Sequence, residues 1–370
     1  MLFSFLWILL SAFYAPAPSS ITIDLSTLED PKIDLQGKRR VYLKGTYKGK
    51  KLLFQNGRQC EIRPIGTVHI YTEEVEAIIL QECYGLLLDG LKDGRNHLRL
   101  IGGGIVTWGG NSDLTLRGID ILDAAGAGIK IKNDRFGRES PYYRNIRLEN
   151  CRIAGAKHEG IYLGFYTYYY RPEYEERYAH SMRGLRVLNN EVIDCGWDGI
   201  QVSCADSATV IKGNILRNNG LEGVYGNNFG LSINSGFSGD ITDNVIGGPV
   251  QMMPYSHTTF RRNIVQTDGP YAIFIRTEPN YGDYIHTNPD MVLRLEKNTI
   301  YNSGDAVYLL HTKENGDPVP IHRFIFKENQ LYIGGLELRF QGDLRNYDIE
   351  NEREEERPPP TNPEEAGGED

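Results

Sequence analysis

Three carboxylates recur in one local phrase. Glu159, Asp198 and Glu222 each stand directly before Gly and then Ile or Val, in HEGIYLG (158–164), DGIQVS (198–203) and EGVYGN (222–227). Carboxyl groups on neighbouring strands of one sheet lie about 5 Å apart, and the outer two about 10 Å apart. Those separations bracket the two acid–base geometries of glycoside hydrolysis. Like charges that close also push one pKa upward, leaving one group protonated as acid and one ionised as base. A plainer role is open to each acid, because Asp or Glu ahead of Gly accepts backbone N–H bonds in ordinary turns.

Other side chains near these acids suit a different reaction. β-Elimination from a uronate needs cations to neutralise the sugar carboxylate and a base to take the C5 proton. Lys130, Lys132 and Arg276 are the candidate cations, with His158 and Tyr162 as proton-transfer groups. Gln201 and Tyr225 are read as outward neighbours able to bind sugar, although outward lysines on a strand are commonly just solvated. Calcium is a further option, since clustered carboxylates hold it. Glu159, Asp198 and Glu222 would be its ligands, but no EF-hand or Gly-Asp-rich calcium repeat occurs. The insertion 165–183 carries Tyr166, Tyr169 and Arg171 among six tyrosines and is expected to wall a cleft. RTEPNYGDYIH (276–286), with Glu278 and His286, is expected to form the opposite wall.

What must position these groups is a repeat. Asn150, Asn190, Asn214, Asn244, Asn263, Asn298 and Asn329 each precede a β-branched or leucine-containing strand, at gaps of 19 to 40 residues. Strand formers and Gly with no helical period read as a β-solenoid, whose turns bury their apolar faces only by stacking. With about 22–35 residues per turn, the span 41–340 makes roughly ten turns. Aligned on the Gly, the inward column reads Ile129, Ile161, Ile200, Val224, Val250, Ile273 and Val307. The outward one reads Lys130, Tyr162, Gln201, Tyr225, Gln251, Phe274 and Tyr308. Residues 41–71 open the solenoid and are expected to include a cap, while 74–100 could hold a short helix or more strands.

These phrases resemble the parallel β-helix repeat of the pectate-lyase-like superfamily over about residues 41–340. The nearest likeness is to secreted bacterial right-handed β-helix proteins. The resemblance implies an all-β, right-handed parallel β-helix. It says less about function, because lyases, hydrolases, epimerases, adhesins and tailspikes share that fold. HEGIYLG also resembles the glycine-histidine-glycine phrase of polygalacturonase-type hydrolases, placing His158, Glu159 and Asp198 in comparable positions. The paired Asp-Asp-Cys phrase of those enzymes is missing, and IKIK (129–132) lies upstream of the acids.

The totals bound the rest. Residues 1–20 read as a secretory signal peptide, too short in apolar length to span a bilayer. Five Cys at irregular spacing fit neither a zinc site nor a complete disulfide set, and read as buried thiols. The net charge of −9 belongs mostly to residues 348–370, where ten acids face two Arg in a Pro-rich tail expected to be disordered. The remaining body is near neutral, which excludes a nucleic-acid footprint. GGGIVTWGG (102–110) lacks the ending of a phosphate loop, and no G-x-S-x-G phrase occurs. The sequence thus points to a secreted carbohydrate-active enzyme, a glycoside hydrolase or polysaccharide lyase. The alternative is a non-catalytic glycan-binding or adhesion β-helix.

Overall fold

Apolar residues at every second position force one side of each short strand inward, and the interior is built from those columns. The computed structural model describes residues 19–132, 143–164, 182–276, 292–311, 323–342 and 347–353. The expected signal segment, apart from Ser19 and Ser20, lies outside them. Each turn of chain contributes strands to three faces. In one turn these are Arg147–Glu149 on face A, Arg152–Ala154 on face B and Ile161–Leu163 on face C. One turn later Arg186–Leu188, Glu191–Ile193 and Ile200–Val202 pair with them in parallel and in register. The molecule is a right-handed parallel β-helix. Among the described residues the single helical element is the 3-10 turn Leu25–Thr27.

The face A ladder starts at Ser20–Asp24 and ends at Tyr347–Arg353, passing through thirteen strands. That exceeds the roughly ten turns counted from the repeat because both ends of the chain join the sheet. Segment 20–40 contributes strands Ser20–Asp24 and Lys32–Asp34 to the sheet, and the expected tail gives up residues 348–353 to the last strand. Segment 74–100 resolves into strands Glu76–Gln81, Tyr84–Asp89 and Leu98–Ile101, with a small antiparallel hairpin between the last two. The core is the inward columns: Leu148, Val187, Ile211 and Ile241 on face A, and Ile153, Val192, Leu216 and Ile246 on face B. Each such side chain contributes about 1.5–3 kcal/mol by leaving water.

The corner between faces A and B repeats a two-residue device. Its first residue has left-handed φ: Asn150 (54°), Asn189 (53°), Gly213 (68°), Asp243 (58°), Arg262 (53°), Lys297 (57°) and Glu328 (54°). Its second residue is a buried asparagine whose carboxamide bridges turns. The Asn214 N–H and Nδ2 both donate to Asn244 Oδ1, at 2.9 Å each. The Asn244 N–H and Nδ2 donate onward to Asn263 Oδ1, at 3.0 and 2.9 Å. The second Nδ2 hydrogen of Asn244 goes back to the Ile211 carbonyl at 3.1 Å. The same pattern links Asn190, Asn214, Asn244, Asn263, Asn298, Asn329 and Asn351. Asn351, in the segment expected to be tail, is the last rung.

Asn150, expected as the first anchor, sits one position early. It occupies the exposed left-handed place, and Cys151 takes the column, its N–H donating to Asn190 Oδ1 at 3.0 Å. Cys83 tops a corner asparagine in the same way, through Asn111 Oδ1, and Cys195 does so through Asn219 Oδ1. A thiol needs no hydrogen-bond partner, so it ends such a column without leaving a buried polar group unmet. All five cysteines are buried, and none is in a disulfide.

Two outcomes test this account. Asn244→Ala strips four hydrogen bonds and leaves the Asn214 N–H and Nδ2 without their acceptor and the Ile211 carbonyl without this donor, so it should cost about 3–5 kcal/mol by urea unfolding. Asn150→Gly keeps the left-handed φ without a carboxamide the column needs, and should change stability by less than about 0.5 kcal/mol.

Candidate functional site

Face C carries the candidate chemistry, on side chains that alternate away from the core. Across successive turns its outward row is Lys130, Tyr162, Gln201, Ser232, Gln251, Phe274, Tyr308 and Arg339. The inward row beside it is Ile129, Ile161, Ile200, Leu231, Val250, Ile273 and Val307. Both rows match the sequence register except in one turn. There the strand is Leu231–Thr242, so Leu231 and Ser232 stand where Val224 and Tyr225 were expected.

Residues 221–228 instead form an irregular bend. Gly220, Gly223 and Gly226 all have left-handed φ of 81°, 60° and 81°, which a strand cannot use. Tyr225 is 93% exposed and stands clear of the row. Glu222 is likewise exposed and outside the row, and Phe229 takes its place ahead of Gly230. The expected column of three carboxylates is therefore two, Glu159 and Asp198, on adjacent turns. Glu222 returns to the neighbourhood by another route: it accepts the Trp197 indole N–H at 3.1 Å, and Trp197 stacks on His158 at 4.2 Å between ring centroids.

Glycine is required beside these acids by close approach. A Cβ on Gly160 would lie 2.1 Å from Val192 Cγ1 and 2.7 Å from the Gly199 carbonyl. The tight corner draws Glu159 and Asp198 out of water, to 5% and 0% exposure. Asp198 Oδ1 accepts the Phe229 N–H at 2.9 Å, and the Ser232 hydroxyl also lies against the carboxyl. Burial drives the Asp198 pKa up to about 8 against the pull of that N–H, the Glu159 carboxylate adds to the rise, and the Ser232 hydroxyl opposes it. Burial also raises Glu159, opposed by its own backbone N–H and by the charges of Lys130 and Lys132. His158 is held below the usual imidazole value by burial, with Glu222 opposing and Lys157 and Lys130 assisting. Lys132 Nζ lies 5.7 Å from the centroid of the Tyr162 ring. Lys130, Lys132, His158, Glu159, Tyr162 and Asp198 thus meet as one cluster.

Beyond them the outward row goes under cover. Gln201 (1%), Ser203 (0%), Ser232 (0%), Asn234 (4%) and Gln251 (6%) point away from the core and are still buried. Gln251 Nε2 donates to Asn234 Oδ1 at 3.1 Å, but Gln201 Oε1 and Ser203 Oγ meet no partner. Farther along, Tyr271, Phe274 and Tyr308 pack ring against ring at 5.1–5.9 Å, and the Arg276 guanidinium lies 5.9 Å from the Phe274 ring.

Ser232 and Asn234 were missed by the sequence reading. The three glycines at spacing three were the signal that strand order breaks at 220–226. Tyr166, Tyr169, Arg171 and Glu278, the expected cleft walls, lie outside the described residues. Among the described residues no group of three or more His, Cys, Asp or Glu is placed to hold a metal ion. The three acids proposed for calcium are not brought together.

No known family profile matches the chain, and neither does any curated protein sequence. Solved structures do resemble it. An alginate lyase from Paenibacillus sp. aligns with TM-score 0.52 and 12% identity, over 90% of this chain and 99% of that one. The A-module of a mannuronan C-5 epimerase from Azotobacter vinelandii aligns with TM-score 0.39 and 13% identity, over 86% and 91%. The catalytic domain of a GH87 alpha-1,3-glucanase aligns with TM-score 0.43 and 9% identity, over 91% and 69%. The likeness to the alginate lyase is one of fold, a parallel β-helix.

The shifted carboxyls make a pH prediction. Asp198 releases its proton near 3.8 in the unfolded chain but holds it to about 8 when folded. Between those values the folded state binds the extra proton, so stability falls as pH rises, by up to about 1.4 kcal/mol per pH unit. Asp198→Asn keeps an acceptor for the Phe229 N–H and cannot ionise. Its melting temperature should therefore drop less than that of the parent protein between about pH 5 and about pH 8.

Proposed function

We propose that this protein is a secreted carbohydrate-active enzyme that cleaves a uronate-containing polysaccharide on face C by β-elimination. The observation that carries the reading is the pairing of Lys130 and Lys132 with Glu159, a buried carboxyl whose pKa is raised, beside Tyr162 on the same outward surface. The two lysines would neutralise the sugar carboxylate and the enolate-like charge that grows as the C5 proton leaves. Tyr162, or His158 kept neutral by its depressed pKa, would take that proton. Glu159, whose pKa burial raises, would supply a proton to the oxygen leaving C4. Arg276 and the ring group of Phe274 and Tyr308 would hold the chain farther along the face. The class of the Paenibacillus structure, a polysaccharide lyase, agrees with this reading.

Elimination is favoured over hydrolysis by the state of the acids. Hydrolysis needs a second, ionised carboxylate that reaches the sugar or a water. Asp198 is fully buried, spends one oxygen on the Phe229 N–H and titrates near 8. The segment 1–20 supports export, and among the described residues no helix is long and apolar enough to cross a membrane.

A second reading, glycan binding without cleavage, draws on one observation. Asp305 Oδ1 accepts the Leu336 N–H at 2.8 Å, the same corner contact that Asp198 makes, so an acid at this corner can be purely a turn residue. Incubation with a panel of acidic and neutral polysaccharides separates the readings. Elimination yields an unsaturated uronate that absorbs in the ultraviolet, hydrolysis yields reducing ends without that absorbance, and binding alone yields neither. Glu159→Gln and Lys132→Ala should each lower kcat by about 100-fold or more, with melting temperatures near that of the parent protein. Unchanged rates in both would remove this cluster from the chemistry.

A further inference from the structure

Face B carries a groove of its own, separate from the face C cluster. Its outward row runs Gly247, Gln266, Tyr301 and Tyr332 in parallel register, with Arg217 following the paired Leu216 one turn before Gly247. These residues, with Asp268 at the rim, line a cavity of about 740 Å³. At one end the Tyr301 and Tyr332 rings stack with centroids 4.7 Å apart and planes within 10°. Tyr301 points outward yet is only 8% exposed, because the stack holds it upright in the wall. At the other end stands the Arg217 guanidinium. Between them Gly247 has no side chain, so the row drops to bare backbone and leaves a notch.

We propose that this groove binds a saccharide chain, at a site distinct from the one that cleaves. Its composition suits sugar: a flat aromatic wall for a pyranose face, an amide and a carboxylate for hydroxyl groups, and one guanidinium able to pair with a uronate carboxylate. Its volume lies in the range of small-ligand sites. Its groups repeat at one strand spacing, about 4.8 Å, close to the length of a sugar unit, so successive units meet successive rungs. One Arg balanced by one Asp offers no field for a nucleic acid. The assignment stands on the groove and holds whether or not face C performs elimination.

The test is ligand-detected NMR with a panel of neutral gluco- and manno-oligosaccharides and oligo-uronates. It is run on the parent protein and on Tyr332→Ala, Tyr332→Phe, Asp268→Ala and Lys132→Ala. Tyr332→Ala should weaken one binding event at least tenfold, Asp268→Ala should weaken the same event, and Tyr332→Phe, which keeps the ring, should retain it. Lys132→Ala should leave that event intact. Equal binding by the parent protein, Tyr332→Ala and Asp268→Ala overturns the proposal, as does loss of all binding in Lys132→Ala or silence across the panel. Absence of cleavage with the groove event retained would count against the face C reading alone.

Discussion

A backbone that turns three corners per coil must find partners for the polar groups it buries at every corner, and the asparagine column is how this chain does so at one of them. A carboxamide has two donors and two acceptor positions, and here all four are used: two N–H groups of the turn before are received, and the turn before and the turn after are each given one. The left-handed residue ahead of each asparagine costs about 1 kcal/mol where it is not glycine. Satisfied corner amides offset that cost, and they also set the register of faces A and B on either side. With register set, every inward column stays apolar and every outward column stays continuous.

That continuity is what gives the outer faces their chemistry. On face C it places Lys130 beside Tyr162 and Glu159 one turn from Asp198, and it runs the row on through Gln201 and Ser232 to Phe274 and Tyr308. The corner that brings Glu159 and Asp198 together also removes them from water, and desolvation dominates both of their pKa values. The same rigidity on face B sets two tyrosines ring against ring and leaves a glycine notch two rungs before the first of them. The strand-borne residues of both arrangements inherit the stiffness of the sheet.

The sequence by itself determined the fold class and most of the register. Period-two apolar residues and recurrent asparagines are local, and inward Ile161, Ile200, Val250, Ile273 and Val307 were legible because stacking repeats them turn by turn. It determined less at places where two chain paths share one pattern. EGVYGN imitates the acid-Gly-Val phrase in every local respect, yet three left-handed glycines bend it away and Leu231–Thr242 fills the rung. Asn150 imitates an anchor, but the column belongs to Cys151, and Asn351 sits within a stretch whose charge suggested a tail. Only the tertiary structure decided which acids lie in one row, how deeply they are buried and therefore when they titrate. It also brought Tyr301, Tyr332, Gly247 and Arg217 to one groove from four separate turns. Those properties depend on contacts between residues about 20 to 40 positions apart, whose distance and shielding from water no local pattern encodes.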